Sequence, residues 1–301
     1  MSDRLSHIID RLQATNHKRH YLALLRVLVS LWYLQQLFFR RSAFDLMYND
    51  NSILRLDPSW AMRFFHLDTE LFRSGYPILM GIAFLLLLLN LFGIGRNLVA
   101  FLLFLTMSLV YWLNDKFGNG GDKMVLILLF YLSFADTYTR FTLFPRSLHA
   151  PERQSYSNLI SNLAAISIML NLCLCYFMAF AHKLEDPLWV NGSAVRFSLN
   201  DERFGAFAFN RWLGDQRIAV MLLSYSVLLF EMAFPFLVWL PRWRNLMLVS
   251  GILLHAGILF FLTIYGMSLI FVFQYGLFLP DARVAQWLNR FGISGRKSNA
   301  L

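Results

Sequence analysis

The chain has 301 residues, of which 57% are hydrophobic, 17% aromatic and only 15% charged. Soluble domains carry about 25% charged residues, so an ordinary water-soluble globule is excluded and an all-α integral membrane protein is indicated. The net charge of +9 does not argue for nucleic acid as a partner, because the basic residues collect between apolar runs rather than on one polar face.

Residues 1–20 form a polar tail of mixed charge without a short apolar run and small-residue cleavage site. No cleaved signal peptide is expected, and the first spanning helix would serve as its own insertion signal. Eight apolar runs follow, at 21–39, 78–92, 98–113, 124–135, 160–181, 218–240, 246–264 and 267–279. A membrane span needs about 20 residues at roughly 1.5 Å rise each. The first, fifth, sixth and seventh runs meet this length comfortably, whereas the fourth and eighth are short. Gly93-Ile94-Gly95-Arg96-Asn97 breaks the second run from the third as a turn. The expected architecture is about eight transmembrane helices in one bundle over 21–280, with 281–301 as a C-terminal tail. Cys173 and Cys175, two apart on one helix, point in different directions and do not suit a disulfide.

Orientation follows from the placement of charge. With the N-terminus in the cytoplasm, basic residues dominate the cytoplasmic tails and loops, while the opposite side is close to neutral. A plasma (inner) membrane protein with both termini cytoplasmic is therefore expected. Two extracytoplasmic loops, 40–77 and 183–217, carry aromatic and basic residues together. Trp60-Ala61-Met62-Arg63-Phe64-Phe65 in the first suits the membrane interface, as do Phe204, Phe207, Phe209 and Trp212 among Arg203, Arg211 and Arg217 in the second. Both loops are read either as interface packing or as the roof of a cavity.

Ionisable groups inside apolar segments are costly and are functional candidates by default. His182 and Lys183 end the fifth run. Lys183 reads either as a desolvated base or as an anchor snorkelling to headgroups with Glu185 or Asp186 as partner. His255 lies amid the seventh run between Gly251 and Gly257, small residues that admit a close neighbour. It reads either as a proton relay or headgroup ligand, or as one half of an interhelical hydrogen bond. Glu231 lies four residues before Pro235, which frees a backbone carbonyl, and Arg26 lies in the first run. Pairing of Glu231 with His255 or Arg26 would be structural. Asp122 follows Asn119-Gly120-Gly121 at the start of the fourth run, where a carboxylate caps a helix or a glycine turn lets backbone approach a ligand. No phosphate-binding loop, dinucleotide fingerprint, metal-binding histidine pair or nucleophile elbow is present. That argues against ATP-driven transport, a Rossmann cofactor and zinc-protease chemistry, and leaves open a membrane enzyme acting on a lipid-soluble substrate.

The order of these motifs resembles a known family. Asn119-Gly120-Gly121-Asp122 with 126–134 and Ala135-Asp136 resembles the fourth-helix motif of the horizontally transferred transmembrane (HTTM) family. Tyr176 to Leu184 with Trp189 and Gly192 is similar to its fifth-helix signature. Glu231, Pro235 and Arg242 match the sixth helix, His255 to Gly266-Met267 the seventh, and Leu24-Leu25-Arg26 the first. The family includes the vitamin K-dependent gamma-glutamyl carboxylase and the SdpB-type proteins that mature a sporulation-delaying toxin. The resemblance implies an HTTM-like bundle acting with membrane lipids on a secreted peptide or protein partner. It implies a reduced, vitamin K-like quinone as cofactor, and Lys183 as the base that deprotonates it. Two departures accompany it. Gly121 stands where the carboxylase has a functional histidine, and no counterpart of the carboxylase's luminal domain is expected after the eighth run.

The candidate set is then Lys183 and His255 for chemistry, and His182, Asn119, Asp122 and Trp189 for substrate or lipid binding. Arg26 and Glu231 are structural polar groups, and no metal ligands are expected. The alternative is a carrier or scaffold without catalysis.

Overall fold

A computed structural model describes residues 2–39, 59–68, 71, 74–113, 120–144, 151–204 and 207–291. The described residues are helical and contain no strand. Each of the eight apolar runs falls mainly on a helix, and five of them overrun its C-terminal end by one to three residues. Five helices are long and apolar enough to cross a membrane, by length and composition. The chain divides into two compact units, 1–167 with 279–301, and 168–278.

The first unit begins with α1 (Ser2–Ala14) and α2 (Arg19–Phe39). After the short α3 (Trp60–Phe64) come α4 (Tyr76–Leu91), α5 (Arg96–Leu113) and α6 (Gly120–Phe134). Most of the 40–77 loop lies outside the described residues. What is described agrees with an amphipathic segment: Ala61 and Met62 are buried, and Trp60, Phe64 and Phe65 are exposed. Within the unit α2 packs on α4 and α6, and α5 packs on α4 and α6. The turn between α4 and α5 is tight because Gly93 and Gly95 take φ of 70° and 71°, backbone that glycine adopts without strain.

Arg26 ties this unit together. Its Nε donates to the carbonyl of Thr137 at 3.4 Å, and one terminal nitrogen donates to the carbonyls of Asn90 and Leu91 (2.9 Å). The other donates to those of Arg140 at 3.4 Å and Phe141 at 2.6 Å. A guanidinium has five N–H donors, and here five carbonyls receive them. Two of these carbonyls belong to the last turn of α4, where the regular i+4 donors run out, although that of Asn90 also accepts from the Gly93 N–H at 3.1 Å. The expected Arg26–Glu231 pair is therefore corrected. A single cation can be neutralised by converging carbonyl dipoles without any carboxylate.

The fifth run is longer than expected. α7 covers Pro151–Leu184, 34 residues, or about 51 Å, against the 160–181 read from hydropathy. Its polar first turns escape a hydropathy reading because they fall outside the apolar stretch, yet Pro151 suits the first helical position. The division between units falls inside α7. Near its start, Asn162 donates to the carbonyls of Leu12 (2.8 Å) and Thr15 (2.7 Å) and accepts from the His17 N–H at 2.9 Å. Asn158 donates to the carbonyls of Gln13 (2.9 Å) and Ala14 (3.3 Å). These bonds satisfy the free carbonyls that end α1. Asn162→Ala should cost about 1–3 kcal/mol locally and release α1. Limited trypsin digestion of the purified protein should then cut after the exposed Arg11 faster than in the wild type. Equal cleavage rates would mean that α1 is held by something else.

The second unit contains the rest of α7, then α8 (Pro187–Val190), α9 (Ala194–Asn200) and α10 (Ala208–Gly214). It continues with α11 (Arg217–Leu237), α12 (Pro241–Leu262) and α13 (Tyr265–Tyr275), which runs into a 3-10 turn, Gly276–Phe278. α14 (Asp281–Arg290) returns to the first unit, where it packs on α2. The last runs shift by a few residues from the hydropathy limits. α12 starts at Pro241, whose missing N–H costs nothing in a first turn, and ends at Thr263, which adopts the left-handed conformation.

Candidate functional site

The second unit brings Lys183, Glu231, Trp189 and His255 into two neighbouring polar sets. Lys183 lies one residue before the end of α7, and Glu231 lies within α11. The ammonium donates to both carboxylate oxygens, at 2.7 and 2.9 Å. The lysine side chain keeps 22% of its exposure and the glutamate 9%, so the pair opens to its surroundings on the lysine side. The ammonium also stands over the Trp189 ring, 5.1 Å from its centre, a cation–π contact that strengthens as water is removed. Pro235 leaves the carbonyl of Glu231 without its intrahelical donor, because it is the i+4 residue.

These partners differ from those the sequence suggested. Neither Glu185 nor Asp186 takes the lysine. Glu185 faces His182 at 3.8 Å, both side chains being largely exposed. Asp186 instead accepts from the N–H of Leu188 at 2.9 Å and caps α8. Glu231 does not pair with His255 either. Charges close in sequence were favoured over one 48 residues away, although only the distant one lies on a facing helix.

His255 is buried in α12. Its Nε2 and the hydroxyl of Tyr176, on α7, lie 2.8 Å apart. The Tyr176 hydroxyl is also hydrogen-bonded to that of Tyr275, on α13. The His255 Nδ1 has no protein partner among the described residues. Gly251 makes the crossing possible, because any Cβ there would collide with the hydroxyl and ring of Tyr275. Phe230, Phe234 and Phe271 surround the Tyr176 ring at 5.3, 4.7 and 5.5 Å.

Asp122 lies in the first turn of α6, in the first unit, so it shares no unit with Lys183. Asn119 lies outside the described residues. Tyr176 and Tyr275 were not among the sequence candidates, since tyrosines in apolar runs read as ordinary aromatic packing. One signal was available: Tyr176 precedes Lys183 by seven residues, two helical turns, and so shares its face. Around the site, α9 and α10 expose Phe197, Phe209 and Trp212. Phe209 also stacks on Phe261 at 5.9 Å, and the Asn210 amide donates to the Phe261 carbonyl at 2.7 Å. In the same segment, hydrogen bonds from Arg203 hold the Asp201 carboxyl below its ordinary value.

No protein-family model, no curated protein and no solved structure matches the chain.

Proposed function

We propose that the chain is a multi-pass plasma membrane protein of the HTTM kind, with eight spans and both termini in the cytoplasm. In this reading it assists the maturation or modification of a secreted peptide by acting on the hydroxyl proton of a quinol-like lipid. The observation that carries the proposal is the Lys183–Glu231 pair, a lysine and a carboxylate joined inside apolar helices and open on one side. Such groups are expensive in a membrane and are kept for what they do. The eight apolar runs, each mainly helical, and the exposed aromatics of α9 and α10 support the membrane placement.

The pair suits a weakly acidic hydroxyl. At rest it holds one labile proton between an amine and a carboxylate. When that proton lies on Glu231, Lys183 is a neutral amine that takes the quinol proton, so the pair then holds two, as an ammonium beside the new oxyanion and a carboxylic acid next to it. The O–H bond breaks, the proton stays on the pair, and the oxyanion gains a cation. The resemblance assigns the base to Lys183 alone, whereas the pair shares the task between both residues. A second reading, a scaffold without catalysis, is favoured by the same bond, since a lysine held by two oxygens is already satisfied.

Protein in nanodiscs with a reduced naphthoquinol separates the two. Wild type should consume the quinol faster than empty nanodiscs. Lys183→Arg and Lys183→Ala should both lose about a hundredfold or more of that rate, because a guanidinium does not give up its proton at neutral pH. Full activity in Lys183→Arg would leave the lysine as an anchor, and no activity in wild type would favour the scaffold.

A further inference from the structure

α14 carries two apolar pairs, and the first unit covers one of them. Val284 and Leu288, four residues apart, are buried. Trp287 and Phe291, also four apart, are 55% and 65% exposed and pack edge to face with ring centres 5.0 Å apart. Arg283 and Arg290 stand four before and three after Trp287, so they share its side of the helix, and both are exposed. The helix has one acid, Asp281, and it is engaged elsewhere. Its carboxylate accepts from the N–H groups of His20 at 3.0 Å and Tyr21 at 3.4 Å, and meets the His20 Nδ1 at 2.6 Å. Arginines beside bulky aromatic rings on an exposed helix edge suit a headgroup layer, where the rings reach the acyl boundary and the cations stay in the polar zone.

The same contacts fix where α14 lies. His20 and Tyr21 belong to the first turn of α2, one of the five helices able to cross a membrane, so α14 begins beside the end of a span. Lys18 donates to the Leu279 carbonyl at 2.7 Å, and Arg140 to the Asn289 side-chain oxygen at 3.2 Å. Both ends of α14 are thereby tied down. These bonds also gather cations: Arg140 feels the charges of Arg19 and Asp281, and Arg19 is exposed. Arg19, Arg283 and Arg290 form no ion pair with a carboxylate among the described residues. A cytoplasmic leaflet offers what this edge lacks, a negative surface with apolar chains directly beneath it.

We propose that Arg283, Trp287, Arg290 and Phe291 form a docking edge for anionic lipid headgroups of the cytoplasmic leaflet. The inference rests on the membrane placement proposed above and not on the quinol chemistry. The guanidiniums take lipid phosphates in bidentate bonds, and the two rings enter the boundary between headgroups and acyl chains. Because α14 is already tied to α2, little ordering remains to be done when lipid arrives. The edge thus holds anionic lipid beside the start of the first span.

Tryptophan quenching tests this in nanodiscs of equal parts phosphatidylcholine and phosphatidylglycerol, with bromine on the acyl chains of one lipid or of the other. Composition is the same in both preparations, so their difference reads which lipid stands beside a ring. Subtracting Trp287→Phe from wild type isolates Trp287. Brominated phosphatidylglycerol should quench it the more strongly, corresponding to a local enrichment of about fivefold or more, the share of one arginine at an anionic surface. Raising the salt should lower that enrichment. Arg283→Gln combined with Arg290→Gln should bring the two lipids close to equality while Trp287 stays quenched. Equal quenching by both lipids in wild type, or a preference that survives the loss of both arginines, would overturn the proposal. A Trp287 that neither lipid quenches would overturn it too, and would point to a protein cover, either a second copy or the residues after 291. The other tryptophans are the reference. If they are quenched and Trp287 is not, the membrane placement stands and the docking edge falls. If no tryptophan is quenched, the placement itself falls and takes the edge with it.

Discussion

Replacing Arg26 by Leu should cost on the order of 3–5 kcal/mol. That is a large part of the roughly 5–15 kcal/mol by which a folded domain exceeds its unfolded state. The reason is the number of groups left behind. Leucine fills part of the space but donates nothing, so the carbonyls of Asn90, Leu91, Thr137, Arg140 and Phe141 lose the guanidinium together, that of Asn90 keeping the Gly93 N–H. Arg26→Lys should be intermediate, because an ammonium keeps the charge but brings three donors to five acceptors. Thermal unfolding in detergent should order the proteins as wild type, Arg26→Lys, Arg26→Leu. A leucine variant melting with the wild type would mean that the carbonyls find other donors.

The Lys183–Glu231 pair should show strong non-additivity. Lys183→Met leaves a carboxylate in the less exposed half of the site, and Glu231→Leu leaves an ammonium in the more exposed half. Partial exposure reduces both losses, so about 2–4 kcal/mol is expected for the first and less for the second. The double variant, Lys183→Met with Glu231→Leu, removes both charges and both desolvation costs. It should be more stable than Lys183→Met alone and far from the sum of the two singles. Additive losses in a double-mutant cycle would show that the two groups do not share their energy.

The helices were the legible part of this sequence, because a run of apolar residues constrains its own backbone and needs no knowledge of its neighbours. The polar exceptions were legible as well: Arg26, Lys183, Glu231 and His255 each stand out against an apolar run. Their partners were not. Arg26 is held by backbone carbonyls, which every residue has and which therefore leave no trace in the sequence. Glu231 is taken by a lysine 48 residues earlier, a pairing set by which helix faces meet rather than by spacing along the chain. The polar start of α7 was missed for another reason, since hydropathy reports apolar length and not helix length. Asn158, ahead of the apolar run, looks like a loop residue until the free carbonyls ending α1 are seen beside it.

The central claim is that the pair takes a proton from a quinol, and the bound quinol can report this itself. A naphthohydroquinone and its anion absorb at different wavelengths. An anaerobic ultraviolet difference spectrum at neutral pH therefore reads the protonation state of the ligand on the protein, before any oxidation. Wild type in nanodiscs should show the anion band, growing with added quinol to saturation. Lys183→Ala should bind the quinol and leave it protonated. Bound quinol that stays protonated on the wild type, or an anion band unchanged by Lys183→Ala, would contradict the claim.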